Sequence, residues 1–320
     1  MARRRNSTAK FISYDLRPAK QSERRILIDV LKVAGDCGLP VRQYRYIGMG
    51  ANRFYDFLLL HRYLGVRDMV SLEHDPKMYE RAVFNVPYKF IDVRNTTTVD
   101  FLAQDKKERD EILWLDYDGG IGPEVTQDIG SMATRAKLGD FCFVTVGGLV
   151  PPALDAGNDG DRLVSVKDVM GDVAGSLTVN DMQDSSFPVA VHKMLVAAFR
   201  NAFAPRTDGK FILLLQVVYK DSMEMVTVGG AFVADGTALE LTKRLKMALP
   251  FLTVGKEGMY AIRSFNLTER ERGLFDHAAT AKSARCSERK TLKRMGFGED
   301  DFDAYDDLIR YLPRYVETVV

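Results

Sequence analysis

The sequence predicts an α/β protein: a doubly wound, mostly parallel seven-stranded sheet ending in an antiparallel hairpin, with a small helical appendage at the carboxyl end. Three observations predict it. Between residues 44 and 118, short apolar runs alternate with segments of helical spacing, which implies parallel strands covered on both faces. The first of these strands ends in a glycine-rich turn, Gly48-Met49-Gly50-Ala51, and the second in an acid, Glu73. Around residues 211–233, two apolar runs are joined by a connection too short for a crossover, so they must pair antiparallel.

Residues 1–40 read as a basic tail and a leading helix. Pro18 suits a first helical turn, and Ile26, Leu27, Val30, Leu31 and Val33 fall on one apolar side. Arg17 and Lys20 near its start read either as a solvated charged face or as groups that bind an anion or close over a ligand. Residues 41–236 carry the sheet. Its strands are expected at 45–47, 69–72, 89–93, 112–115, 141–146, 211–219 and 225–233. Helices fall between them at 54–64, 76–85, from about 99, at 125–138 and at 188–203. His61 and His192 lie on helices and read as structural. Residues 147–187, rich in Gly, Asp and Ser, are too long for a simple connection and read as a substrate-facing insertion or lid. Residues 237–320 turn mainly helical, with a short strand within 255–265. Thr268 and Glu271 form a capping box there. A basic block at 282–290 faces an acidic block at 299–307 in sequence.

At 320 residues and 46% hydrophobic, the chain is long enough for a full core and more than one minimal domain. The net charge of +1 gives no global field toward nucleic acid or a membrane. A nucleic-acid role would need the basic block at 282–290 to stay unpaired. Cys37, Cys142 and Cys286 are odd in number and widely spaced, which builds neither a disulfide framework nor a metal pair. No apolar run approaches the ~20 residues that span a bilayer, and the basic start has no apolar region behind it. The expectation is a cytoplasmic protein.

Glycines at the first strand-to-helix turn let a ligand approach the backbone, and an acid at the end of the second strand can accept both hydroxyls of a ribose. The offset from Gly48 to Glu73 is of the required order, about 20–25 residues. Arg53 stands where the dinucleotide fingerprint has its third glycine, which favours a nucleoside over a pyrophosphate. The stretch resembles the class I S-adenosylmethionine-dependent methyltransferases, whose fold is Rossmann-like. Residues 46–50 (Tyr-Ile-Gly-Met-Gly) sit at their motif I, Val70-Ser71-Leu72-Glu73 at their second strand, and residues 112–118, ending Asp116-Tyr117-Asp118, at their motif IV. The resemblance spans roughly residues 40–235. It departs in lacking a third glycine and the Pro-Pro-Tyr signature of amino-methylating enzymes.

The resemblance implies S-adenosylmethionine as cofactor and a methyl acceptor that is an oxygen or nitrogen nucleophile. Gly48, Gly50 and Glu73 are the expected cofactor contacts. Asn52 and Arg53 fall near the methionyl carboxylate, Asn95 beside the adenine, and Asp116 near the cofactor amine. Asp118 and Tyr117 are the candidates for orienting substrate. Asp116 and Asp118 also read as a turn-capping pair or as hard oxygen ligands for a divalent cation, so a metal-dependent nucleotide enzyme is a further reading. A sensor subunit that holds a nucleoside without turnover, docked to a protein partner through the carboxyl-terminal region, is the alternative function.

Overall fold

The computed structural model describes residues 17–152, 154–155, 157–280 and 286–313. The basic tail of residues 1–10 and part of the basic block, residues 282–285, lie outside them. One sheet organises the chain. Its order is β3 (Ile91–Asn95), β2 (Asp68–Glu73), β1 (Arg45–Gly48), β4 (Glu111–Gly120), β5 (Phe141–Gly147), β7 (Glu224–Val233), β6 (Lys210–Lys220) and β8 (Tyr260–Ile262). The first five are parallel, β7 is antiparallel to β5 and β6, and β8 pairs parallel with β6. The sheet therefore carries an eighth strand beyond the expected seven. It arises because the short apolar run at 260–262 finds a parallel partner more than forty residues upstream.

Helices cover both faces. On one lie α1 (Pro18–Asp36), α2 (Tyr55–Leu64) and α8 (Asp235–Ala248), whose apolar sides join a core containing Ile26, Leu27, Val30, Leu31, Phe57 and Leu241. The other core gathers α4 (Thr98–Gln104), α5 (Pro123–Arg135), α6 (Asp159–Met170) and α7 (Phe187–Phe203) through Phe101, Ile129, Val166 and Phe199. Helix α3 (Pro76–Asn85) borders β2 and β3, capped by Asp75, whose carboxylate accepts from Lys77 N and Met78 N at 2.9 Å. The appendage, α9 (Glu269–Thr280), α10 (Ser287–Arg294) and α11 (Glu299–Leu308), packs through Phe275, Phe302 and Tyr305. Its charges pair internally: Arg289 meets Asp306 at 3.1 Å and Lys293 meets Glu299.

The start of α1 is fixed from far away. Asp221, in the β6–β7 turn, accepts from Ala19 N at 3.1 Å and Lys20 N at 3.0 Å, so its carboxylate supplies the anion that a helix amino end favours. The insertion after β5 is largely helical and packed into the core. Leu154, Val166, Met170, Ala174, Leu177 and Met182 bury their side chains in the core shared with α7, and Arg162 ties its turns through Asp155 and Asp184. Among the described residues no helix is long and apolar enough to cross a membrane.

Candidate functional site

A cavity of about 830 Å³ opens at the carboxyl ends of β1, β2 and β4, the side on which ligands bind in open α/β sheets. Its wall begins with the β1–α2 turn. Met49, Gly50, Ala51 and Arg53 line it, and two non-glycine residues there, Ala51 (φ 45°) and Phe54 (φ 53°), adopt left-handed conformations. Each costs on the order of 1–2 kcal/mol. Buried aromatics hold them: Phe54 is fully buried, edge-on to Phe57, which is in turn edge-on to Tyr46. A Cβ on Gly50 would lie 2.6 Å from the Phe54 ring and 2.8 Å from Ser71 Oγ, and Gly50 N donates to that Oγ at 3.0 Å. The turn needs glycine at this point.

Glu73 ends β2 and lines the cavity beside Leu72, His74, Asp75 and Met78. Its carboxylate accepts from Asp75 N at 3.0 Å, and burial pushes its pKa above the usual glutamate range. Thr96, Thr97, Thr98 and Val99 close this end.

The opposite wall is made by the end of β4. Asp116 pairs with Thr145 of β5, but the next match is Gly120 with Gly147, so β4 carries two extra residues in between. Such a bulge re-aims side chains locally, and Asp116, Tyr117, Asp118 and Gly119 all line the cavity. Tyr117 does so with its hydroxyl committed: Oη donates to Asp128, which also accepts from Thr98 Oγ1. Burial, and then the Asp128 charge, drive its pKa far above the ordinary phenol value. Tyr117 thus braces β4, α5 and the loop before α4 through its hydroxyl while it lines the cavity.

A family model described as "Putative O-methyltransferase" matches residues 12–320. The chain belongs to that family. Solved structures to which this methyltransferase is similar include the fibrillarin/Nop5p complex, at 9% identity and a TM-score of 0.38 over 60% of this chain and 73% of that one. Another is the N-methyltransferase NodS from Bradyrhizobium japonicum WM9, at 10% identity and 0.37 over 68% and 99%. A third is an O-methyltransferase family protein from Burkholderia thailandensis, at 13% and 0.35 over 64% and 55%. Comparison with curated protein sequences gives no match.

The methyltransferase cavity gathers Gly50, Arg53, Glu73, Asp116, Tyr117 and Asp118 from the sequence-derived candidates. It leaves three outside. Gly48 ends β1, where a Cβ would meet Tyr46 Oη at 2.4 Å, so its glycine serves packing. Asn95 turns its amide back to donate to Glu73 O at 2.9 Å, bracing the strand ends. The Asn52 amide is buried within the turn and does not line the cavity. Asp116 and Asp118 share the cavity, but Asp116 Oδ2 already faces a cation, Lys20 Nζ, at 2.8 Å. Among the described residues no group of three His, Cys, Asp or Glu is arranged to hold a metal ion. Sequence reasoning missed Arg24 and Asp56, which line the cavity, because they arrive on α1 and α2 as apparently ordinary helix charges.

Proposed function

We propose that this methyltransferase uses S-adenosylmethionine to methylate a hydroxyl oxygen, with the cofactor lying across the strand ends from Glu73 to Asp116. The observation that carries the reading is the convergence, in one cavity, of the Gly50 turn, the Glu73 carboxylate and the Asp116–Gly119 bulge. Glu73 retains acceptor capacity beyond its Asp75 contact and suits a ribose diol. Leu72, Met78 and Val99 offer apolar surface for a base, with Thr96 to Thr98 at its polar edge. The bound cofactor supplies a methyl group already made electrophilic by its sulfonium. The protein's task is then alignment and exclusion of water. Asp118, on the bulge, is the group that orients the acceptor hydroxyl and takes its proton.

The test is Asp118→Asn. Release of S-adenosylhomocysteine from S-adenosylmethionine is followed across a panel of alcohols, phenols and carboxylates. Against the best acceptor, the variant should lose about 10²–10⁴ in turnover and keep its affinity for S-adenosylhomocysteine. Unchanged turnover removes Asp118 from the chemistry. A wild type that binds both cofactor forms but turns over no acceptor would favour a sensor.

A further inference from the structure

We infer that a second cavity, at the amino ends of β1, β2 and β4, is a ligand site in which Arg42, Arg67 and Arg109 bind the phosphate group of a phosphorylated compound. It lies at the opposite end of the strands from the methyltransferase cavity, and the inference does not depend on the cofactor reading above.

The cavity has a volume of about 770 Å³ and is walled by the three turns that lead into those strands, with Arg42 before β1, Arg67 before β2 and Arg109 before β4. Three guanidiniums therefore arrive from three separate segments of the chain. Like charges gathered in this way repel one another unless counter-charge offsets them. Two acids, Glu108 and Asp110, share the lining, so three arginines against two acids leave it one charge positive. The acids do not close on the arginines: among the described residues, neither is ion-paired with Arg42, Arg67 or Arg109. Asp110 lies instead beside Tyr44, whose pKa rises well above the ordinary phenol value through burial first and the Asp110 charge second.

Each arginine is held by its stem or its face, and its N–H groups are left over. Arg42 lays its side chain along the turn that ends α2: a Cβ on Gly65 would meet its Nε at 3.3 Å and its Cγ and Cδ at 3.4 Å. The carbonyl end of that helix favours a cation there. Arg67 places its guanidinium 5.7 Å over the Phe90 ring, which is itself stacked on Tyr88 at 4.9 Å. A guanidinium lying on an aromatic face keeps its in-plane fork for an anion. Arg109 Nε stands 3.5 Å from Asp68 Oδ2, between side chains 60% and 39% exposed, where an ion pair is worth little. Arg45 faces the same carboxylate at 3.8 Å. Among the described residues, the guanidiniums of Arg42 and Arg67 make no hydrogen bond or ion pair. A phosphate presents several oxygens in a tetrahedron and accepts from several forks at once, whereas a carboxylate is matched by one. The volume is that of a small-molecule site rather than of a lone phosphate, so room remains for the rest of the compound. A free phosphorylated compound and a nucleic-acid backbone offer the same group.

The test is calorimetric titration of the full chain with inorganic pyrophosphate at about 0.15 M salt, where diffuse surface attraction is screened. The wild type should bind it saturably. Arg42→Gln and Arg67→Gln should each weaken that binding about 10-fold or more, the worth of a charge-assisted hydrogen bond. Arg67→Lys, which keeps the charge without the fork, should fall between the wild type and Arg67→Gln. Both arginines are exposed, so thermal unfolding should give all these proteins the wild-type Tm. Pyrophosphate binding that is absent, unsaturable or unchanged in both glutamine variants overturns the inference, and so does a loss of binding that tracks a lowered Tm. A competing titration with a short single-stranded oligouridylate then identifies the source of the phosphate. Displacement of pyrophosphate, with the same losses in the variants, means a nucleic-acid backbone. Pyrophosphate binding that the oligonucleotide does not disturb means a free phosphorylated compound.

Discussion

Two clusters of buried charge stand at opposite ends of the same sheet, and they are finished differently. At the amino ends of β1 and β4, Arg135 grips Glu111 with two parallel bonds of 2.8 and 2.6 Å and donates to the Asp105 carbonyl at 2.6 Å. Asp105 accepts from Arg45 and Arg94 at 2.7 Å each and from Arg135 at 2.8 Å, and the three guanidiniums surround the Phe101 ring. At the carboxyl ends, Lys20, Glu23, Arg24 and Asp56 are buried and Asp116 partly so, yet Arg24 Nη1 and the nearby Tyr46 hydroxyl make no hydrogen bond. A network closed on itself holds elements together, whereas one with an open edge beside a cavity is arranged for a ligand.

The largest expected effect breaks the closed network. Arg135→Ala leaves the buried Glu111 with only Lys107, at 3.8 Å, as a charge partner and should cost about 3–5 kcal/mol of stability, read by denaturant unfolding. Affinity for S-adenosylhomocysteine in the folded fraction should stay at the wild-type value. If binding fell as steeply as stability, the two ends would not be separable as described.

A smaller loss is expected where the two functions meet. Tyr117→Phe removes the hydrogen bond to Asp128 and should cost about 1.5–3 kcal/mol, seen as a lower Tm. Abolished turnover at unchanged stability would instead return the Tyr117 hydroxyl to the chemistry.

Smallest is a pH effect at Glu73. Burial raises the pKa of this carboxylate, and only the ionised form is a full acceptor for a diol. Its charged form is therefore disfavoured in the protein. Cofactor affinity should be complete above the raised pKa and fall as pH drops through it, beginning above the ordinary glutamate range, at most about tenfold per pH unit. Glu73→Gln should flatten that slope, and a slope that persists in the variant belongs to another group.

The comparison also marks what the sequence discloses. The alternation of strands and helices near the site, the Gly50 turn, Glu73 and the Asp116 turn were legible because each is a local pattern: a period, a glycine where a Cβ would clash, an acid at a strand end. The family match agrees with the methyltransferase resemblance. What stayed hidden is nonlocal. Lys20 reads in sequence either as a solvated face or as an anion-binding group, and only the folded chain shows Asp221, some 200 residues away, docking that helix end against the sheet. The Asn95 amide had two chemically equal choices, base edge or strand-end carbonyl, and only packing decided between them. The insertion at 147–187 is rich in turn residues around a helical stretch near 163–170, and nothing local in it reveals that its apolar residues cover α7.

The measurement that tests the account most directly is calorimetric titration of the wild type and Glu73→Ala with S-adenosylmethionine and S-adenosylhomocysteine. The account predicts micromolar binding by the wild type and a loss of tenfold or more in the variant, about 1.4 kcal/mol, with the fold intact. Absence of binding to either ligand by the folded wild type would contradict it.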